Sequence, residues 1–180
     1  LLSQGPEEQA GWSSQYNMDL QPAQARSYEP ASWSTAGTIA RIEELERFYT
    51  ITGDRRYLRP IPAAIAWLER SVINTDPSKP YTHGRFLEPG TNRALVAHRK
   101  GTTQENGHYY VDYNLENPIT HMGMTAKLDI PAIKRAFERV KALSPEQARA
   151  EYEASKKSRP TAADAEAAKT AIAALDPRGA

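Results

Sequence analysis

The chain has 180 residues, a net charge of +1 and no cysteine. Balanced charge leaves no broad positive field for nucleic acid, and the missing thiols exclude disulfides, zinc thiolates and a cysteine nucleophile. No apolar run reaches the roughly 18 residues that span a bilayer, and the length suits one domain with a core of its own.

Leu1-Leu2-Ser3-Gln4 reads as the end of a helix already in progress, which predicts that the chain is the C-terminal part of a larger domain. The stretch from Trp12 to Pro30, WSSQYNMDLQPAQARSYEP, is too polar for a core strand and too broken by Pro22 and Pro30 for one helix. Its Trp12, Tyr16 and Tyr28 mark either a packed functional loop or a helix connection held to the surface by its aromatics. Ser32 or Ser34 caps a predicted helix that runs to about Thr52, with Ile39, Ile42, Leu45 and Tyr49 on one face. Gly53 ends it. Asp54 opens a second helical segment whose apolar stripe is Leu58, Ile61, Ile65, Leu68 and Val72. Pro60 and Pro62 place the start of its main helix near Pro60. The short Thr-Gly-Asp link makes the two helices an antiparallel hairpin.

Thr75 to Tyr81 is a turn-rich connector. The runs Gly84 to Glu88 and Arg93 to Arg99, around Pro89-Gly90-Thr91-Asn92, predict a β-hairpin. Gly101 to Asn117 reads as loop with at most one short strand. Asp129 caps a further helix with Ile130, Ile133, Phe137 and Val140 on its buried face. Ser144-Pro145 opens another to about Lys157, and the Ala-rich run from Thr161 to Leu175 is also predicted helical. These last two carry few large apolar residues and are expected on the periphery. The fold class expected is mainly α, built of helical hairpins, with one short β-hairpin.

No phosphate-binding glycine loop, GxSxG elbow or HExxH pair is present. His83, His98, His108 and His121 are too scattered for a metal set and read as structural or surface residues. Glu43, Glu44 and Glu46 read as a solvated helix face. The arginines stand out. Arg85, Arg93 and Arg99 are separated by 8 and 6 residues, and even spacing on an extended hairpin places them on one face. With His98 and Lys100 they form a site for carboxylates or phosphates, or else each pairs with a local acid such as Glu88, Glu105 or Asp112.

The stretches QYNMDLQPAQARSYEPAS and GRFLEPGTNRALVAHRKG resemble the two signature stretches of family 10 polysaccharide lyases, which are pectate lyases with an α/α-toroid fold. The likeness covers roughly Leu1 to Asn117. It implies an incomplete toroid, with a motif-bearing part over 1–117 and a peripheral helical extension over 118–180. It also implies calcium-assisted β-elimination of polygalacturonate or a related acidic polysaccharide, in a secreted or periplasmic protein. Carried over by motif, Arg26 is the base that takes the C5 proton, and Arg85 and Arg99 bind uronate carboxylates. Arg93 and Tyr28 complete the implied substrate-binding set. The principal calcium carboxylate is expected in the half of the domain preceding Leu1, so no metal ligand is assigned in this chain. Three positions depart from the family pattern: His98 and Lys100, where Gly and Asp are expected around Arg99, and Ala94, where a Pro is expected.

A free guanidinium is protonated at ordinary pH, so an arginine base requires neighbouring cations and partial desolvation. The base is otherwise a hydroxide that Arg26 positions, or Tyr28. Two readings outside catalysis stand beside the lyase. One is a uronate-binding module in which the arginines act with Tyr16, Tyr28, Tyr109 and Tyr110, and the other is a helical interaction scaffold.

Overall fold

A computed structural model describes residues 2–101, 108–156 and 162–174. Its helices form where local signals are strongest. Helix α1 (Thr35–Thr52) starts where the Ser34 hydroxyl accepts the Gly37 N–H at 3.0 Å. It stops at Gly53, whose φ of 73° is left-handed and whose N–H returns to the Tyr49 carbonyl. A 3₁₀ turn (Arg55–Leu58), capped by Asp54, leads into helix α2 (Ile61–Arg70) with Pro62 in its first turn. Helix α3 (Ile130–Ala142) is capped by Asp129. Helix α4 (Pro145–Lys156) is preceded by a reciprocal cap in which Ser144 and Gln147 bond each other's backbone N–H. Helix α5 (Ala162–Ala173) follows.

The expectation of a mainly α, incomplete toroid with a single hairpin is corrected by the strands. Strands β1 (Trp33–Ser34), β3 (Phe86–Leu87), β4 (Ala94–Lys100) and β5 (His108–Asp112) form one antiparallel sheet in the order β1-β3-β4-β5. Strands β2 (His83–Gly84) and β6 (Thr125–Ala126) form a second. The predicted hairpin is the β3–β4 pair, turning through Gly90 and a left-handed Asn92. It is extended on one side by the two-residue β1 and on the other by the five-residue β5, the short strand allowed for between Gly101 and Asn117. Two-residue strands are made by long-range pairing, which no local periodicity records.

The register also corrects the expected common face of the arginines. Phe86 opposes Leu95, so Arg99 shares a sheet face with Phe86 while Arg85, one residue back, has the opposite parity. Two further local expectations fail. Leu2–Ser3 is a turn, and Gln4 bridges to Trp12 instead of closing a helix. Helix α2 ends at Arg70, so Val72 leaves the apolar stripe, is exposed and bridges to His83.

The main core lies among α1, α2 and α3, with Ile42, Tyr49, Ile61, Trp67, Leu68 and Phe137 buried in it. Trp12 and Trp33 seal it from the loop side, and Ala148 buries α4 against it. Thr35 and Thr38 of α1 are fully buried because each is bonded, Thr35 to the Gly84 carbonyl at 2.9 Å and Thr38 to the Trp12 N–H at 2.9 Å. A second core of Phe86, Val96, Ala97, Ile119 and Met124 backs the four-stranded sheet. Residues from the 119–148 region therefore belong to both cores.

Glu46 departs from the solvated face predicted for it. It is half-buried between α1 and α3 beside Ile39, Ile42, Ala132 and Ile133, and its Oε1 has no hydrogen-bond partner. Burial first, then the charge of Glu43, pushes its carboxyl up to about 7. Because the folded state holds the proton more tightly, this residue's contribution to stability is full below about 4.5 and is lost as pH rises to about 7. Glu46→Gln is expected to stabilise the protein by about 1–2 kcal/mol at about pH 8, after discounting for partial exposure. Urea unfolding at about pH 8 and about pH 4 checks it, with the difference vanishing at the lower pH.

Candidate functional site

The loop before β1 is a packed one. Trp12 is 3% exposed and pairs through its backbone with Gln4 and Ser34. Beyond it, Gln15 and Ala23 are joined by a backbone bond, and Asn17 turns the chain by accepting the N–H groups of Asp19 and Gln21. The chain then makes a tight turn from Arg26 to Glu29, closed by the Glu29 N–H on the Arg26 carbonyl at 2.9 Å.

That turn also ties Arg26 and Glu29 together by their side chains. Arg26 Nε donates to Glu29 Oε2 at 2.7 Å and Nη2 to Oε1 at 2.6 Å, a side-on bidentate pair. The arginine side chain is 61% exposed while that of Glu29 is 10% exposed. Each group shifts the other. The bonds from Arg26 lower the Glu29 carboxyl, and the bonds to Glu29 raise the Arg26 guanidinium above its ordinary value. Arg26 is therefore held protonated in this structure, the reverse of what a resting base needs.

Tyr28 carries the arrangement onto the sheet. The Arg26 guanidinium lies 5.0 Å from the Tyr28 ring, and that ring meets Tyr109 of β5 at 5.1 Å and His121 edge-on at 4.8 Å. On the far side, the Arg99 guanidinium of β4 lies 5.1 Å from the Tyr109 ring. The register explains this contact, because Arg99 opposes Tyr109 directly and both point to one face. Tyr28 packs in turn on the second core, which includes Phe86, and the Arg85 guanidinium lies 5.8 Å from the Phe86 ring. Arg26, Tyr28 and Arg99 are thus drawn together, with Arg85 at the edge of the same apolar cluster.

Arg93 is not. It stacks on Tyr113, 3.4 Å from the ring centre, and Tyr113 donates to Glu88. Six residues of strand separate it from Arg99, about 20 Å at the usual rise. The local acids proposed as arginine partners are otherwise engaged: Glu88 accepts from Thr91 and Tyr113, and Asp112 faces His98. Glu105 lies outside the described residues. Of the histidines, His83 is buried against the Leu68 carbonyl and His98 against the carbonyls of Asn114 and Asn117. His121 instead stands exposed at the tyrosine pair. The departures from the family pattern are placed as well: His98 stacks on Tyr110, Lys100 lies over the same ring, and Ala94 packs where a Cβ on Gly84 would meet it at 2.9 Å.

Sequence reasoning passed over Glu29 and His121 as site residues. The Arg-x-x-Glu spacing within a predicted turn is a signal for the first, whereas His121 reaches the site only through tertiary packing. Among the described residues, no three carboxylates or imidazoles converge into a metal site. No helix is long and apolar enough to cross a membrane.

Guanidinium groups lie beside tyrosine rings here, partly open to water, an arrangement whose chemistry suits carboxylates on the cations and flat apolar faces on the rings. The sequence pattern of the pectic acid lyase family matches residues 3–134, and the chain belongs to that family. The match spans every arginine and tyrosine of this cluster. Comparison with curated proteins finds no match, and comparison with solved structures finds none.

Proposed function

We propose that the protein is a pectate lyase of the family 10 type, cleaving polygalacturonate to unsaturated oligogalacturonides by β-elimination. The observation that carries this reading is the convergence of Arg26 and Arg99 on the Tyr28–Tyr109 pair, within a chain of the pectic acid lyase family. In the reaction, a base takes the C5 proton, the C5–H electrons form the C4=C5 double bond, and the C4–O4 bond breaks, with O4 taking a proton from water as it leaves. Arg99 binds the uronate carboxylate, which acidifies the adjacent C5–H by stabilising the enolate-like charge that develops, while Arg85, of opposite parity on the sheet, stands apart from that contact. Arg26 takes the proton in its neutral form, and Tyr28 holds the guanidinium against the sugar.

Calcium belongs to the same proposal, as a further cation on the uronate carboxylates. The described residues supply no ready set of ligands for it, and the steps above run through side chains of this chain alone. The test is ultraviolet absorbance of the unsaturated uronide, measured on polygalacturonate with calcium and with a chelator. A rise that needs calcium is expected. A protein that forms no such product under either condition is not a pectate lyase.

One observation favours a second reading. The Glu29 pair holds Arg26 protonated, which suits a cationic clamp in a non-catalytic uronate-binding protein. Retention of oligogalacturonate without any unsaturated product would select that reading.

A further inference from the structure

The contact between Arg26 and Glu29 is more than a surface ion pair. Exposed pairs at this spacing contribute little and hold no fixed geometry. Here the Glu29 side chain is only 10% exposed, and its carboxylate is bonded three ways by Arg26. It accepts from Arg26 Nε and Nη2, and the Arg26 backbone N–H points to the same carboxylate at 3.4 Å. The Glu29 N–H and carbonyl close the turn on Arg26 and Ala25. A carboxylate buried in this way fixes its partner, because any other orientation of the guanidinium leaves the buried charge uncompensated.

The pair also selects which part of the guanidinium is presented. Nε and Nη2 form the edge held by Glu29, so Nη1 is the nitrogen that meets no carboxylate among the described residues. Tyr28 covers the guanidinium at 5.0 Å. Resting on the lyase reading above, we propose that Glu29 is a positioning residue: it clamps the Nε–Nη2 edge of Arg26 so that Nη1 faces the C5 hydrogen of a bound uronate.

The clamp has a consequence for pH. A base must lose its proton to act, and a paired carboxylate opposes that loss. Among the described residues, the groups facing Arg26 are Glu29 and Tyr28 on its own turn. Tyr109 and His121 lie against Tyr28, and Arg99 stands behind Tyr109. Glu29 is the one carboxylate among them. Removing its charge should free the Arg26 proton at lower pH while loosening the geometry.

The experiment compares pH profiles of kcat/KM on polygalacturonate for the wild-type protein, Glu29→Gln, Glu29→Asp and His121→Gln. Glu29→Gln is expected to move the acidic limb down by about one unit, a modest shift because Arg26 is open to water. Its kcat on the plateau is expected to fall about tenfold or more, as the reacting nitrogen is no longer held. Glu29→Asp, which keeps the charge on a shorter arm, should lower kcat with the limb in place. His121→Gln should leave the limb where it is. An active wild type whose limb does not move in Glu29→Gln, or moves instead in His121→Gln, overturns the assignment alone. A wild type that makes no unsaturated uronide overturns the lyase reading, and this assignment with it.

Discussion

Arg26→Ala is expected to lose about 10³-fold in kcat on polygalacturonate, the usual scale for a proton-transfer group in the transition state. The substitution should leave the fold intact, because the Arg26 side chain is 61% exposed and belongs to neither core. It does strand the buried Glu29 carboxylate, so a modest loss of stability in the Trp12–Pro30 loop is expected above the pH at which Glu29 ionises. The Glu29 carboxyl is lowered by Arg26, so the stability it contributes is present above its unfolded value and fades as pH falls through its folded one. Arg26→Lys separates charge from geometry. A lysine keeps the positive charge but loses the two-pronged contact with Glu29, so binding is expected to survive while turnover falls. The measurement is initial rate of unsaturated product against substrate concentration. Full activity in Arg26→Ala would remove Arg26 from the chemistry and return the proton-accepting role to Tyr28 or to hydroxide.

Trp67→Ala is expected to destabilise the protein by about 3–5 kcal/mol, a large part of what holds a domain folded. Trp67 is fully buried in α2, and a Cβ built on Gly11 would come within 2.5 Å of its ring, so the surrounding backbone is shaped to it. Its indole N–H donates to the Asn92 side chain at 3.0 Å, and Gln9 donates to the same oxygen. Asn92 lies in the left-handed turn between β3 and β4, so the indole joins the helical core to the hairpin that carries Arg99. Losing it should therefore loosen the site as well as the core. Trp67→Phe keeps most of the apolar volume, removes the indole donor and leaves the Asn92 oxygen to Gln9 alone, and should cost less. Urea unfolding followed by tryptophan fluorescence measures both. A loss under about 1 kcal/mol for Trp67→Ala would show that this position is not packed as described.

How much of this was legible beforehand depends on the distance over which each feature is decided. The helix ends were readable residue by residue: Ser34, Gly53, Asp54, Asp129 and Ser144 each act on backbone groups within a few positions. The β3–β4 hairpin was readable because its turn residues, Gly90 and Asn92, adopt the left-handed backbone locally. The Arg26–Glu29 pair lies within one turn and is open to reading, but the acids sought for the arginines were Glu88, Glu105 and Asp112, all near the second stretch.

What the sequence by itself determined is a chain of capped helices, one hairpin, and two arginine-bearing stretches typical of the pectic acid lyase family. The tertiary structure alone decided that the two-residue strands complete two sheets, that Glu46 is half-buried, and that Arg93 is remote from Arg99's neighbours. It alone brought Tyr28, Tyr109 and His121 onto one another from three separate segments. The physical reason is the same in each case. Caps and turns are satisfied by neighbours in sequence, whereas sheet pairing, burial and ring packing depend on partners dozens of residues away, whose positions only the folded core sets.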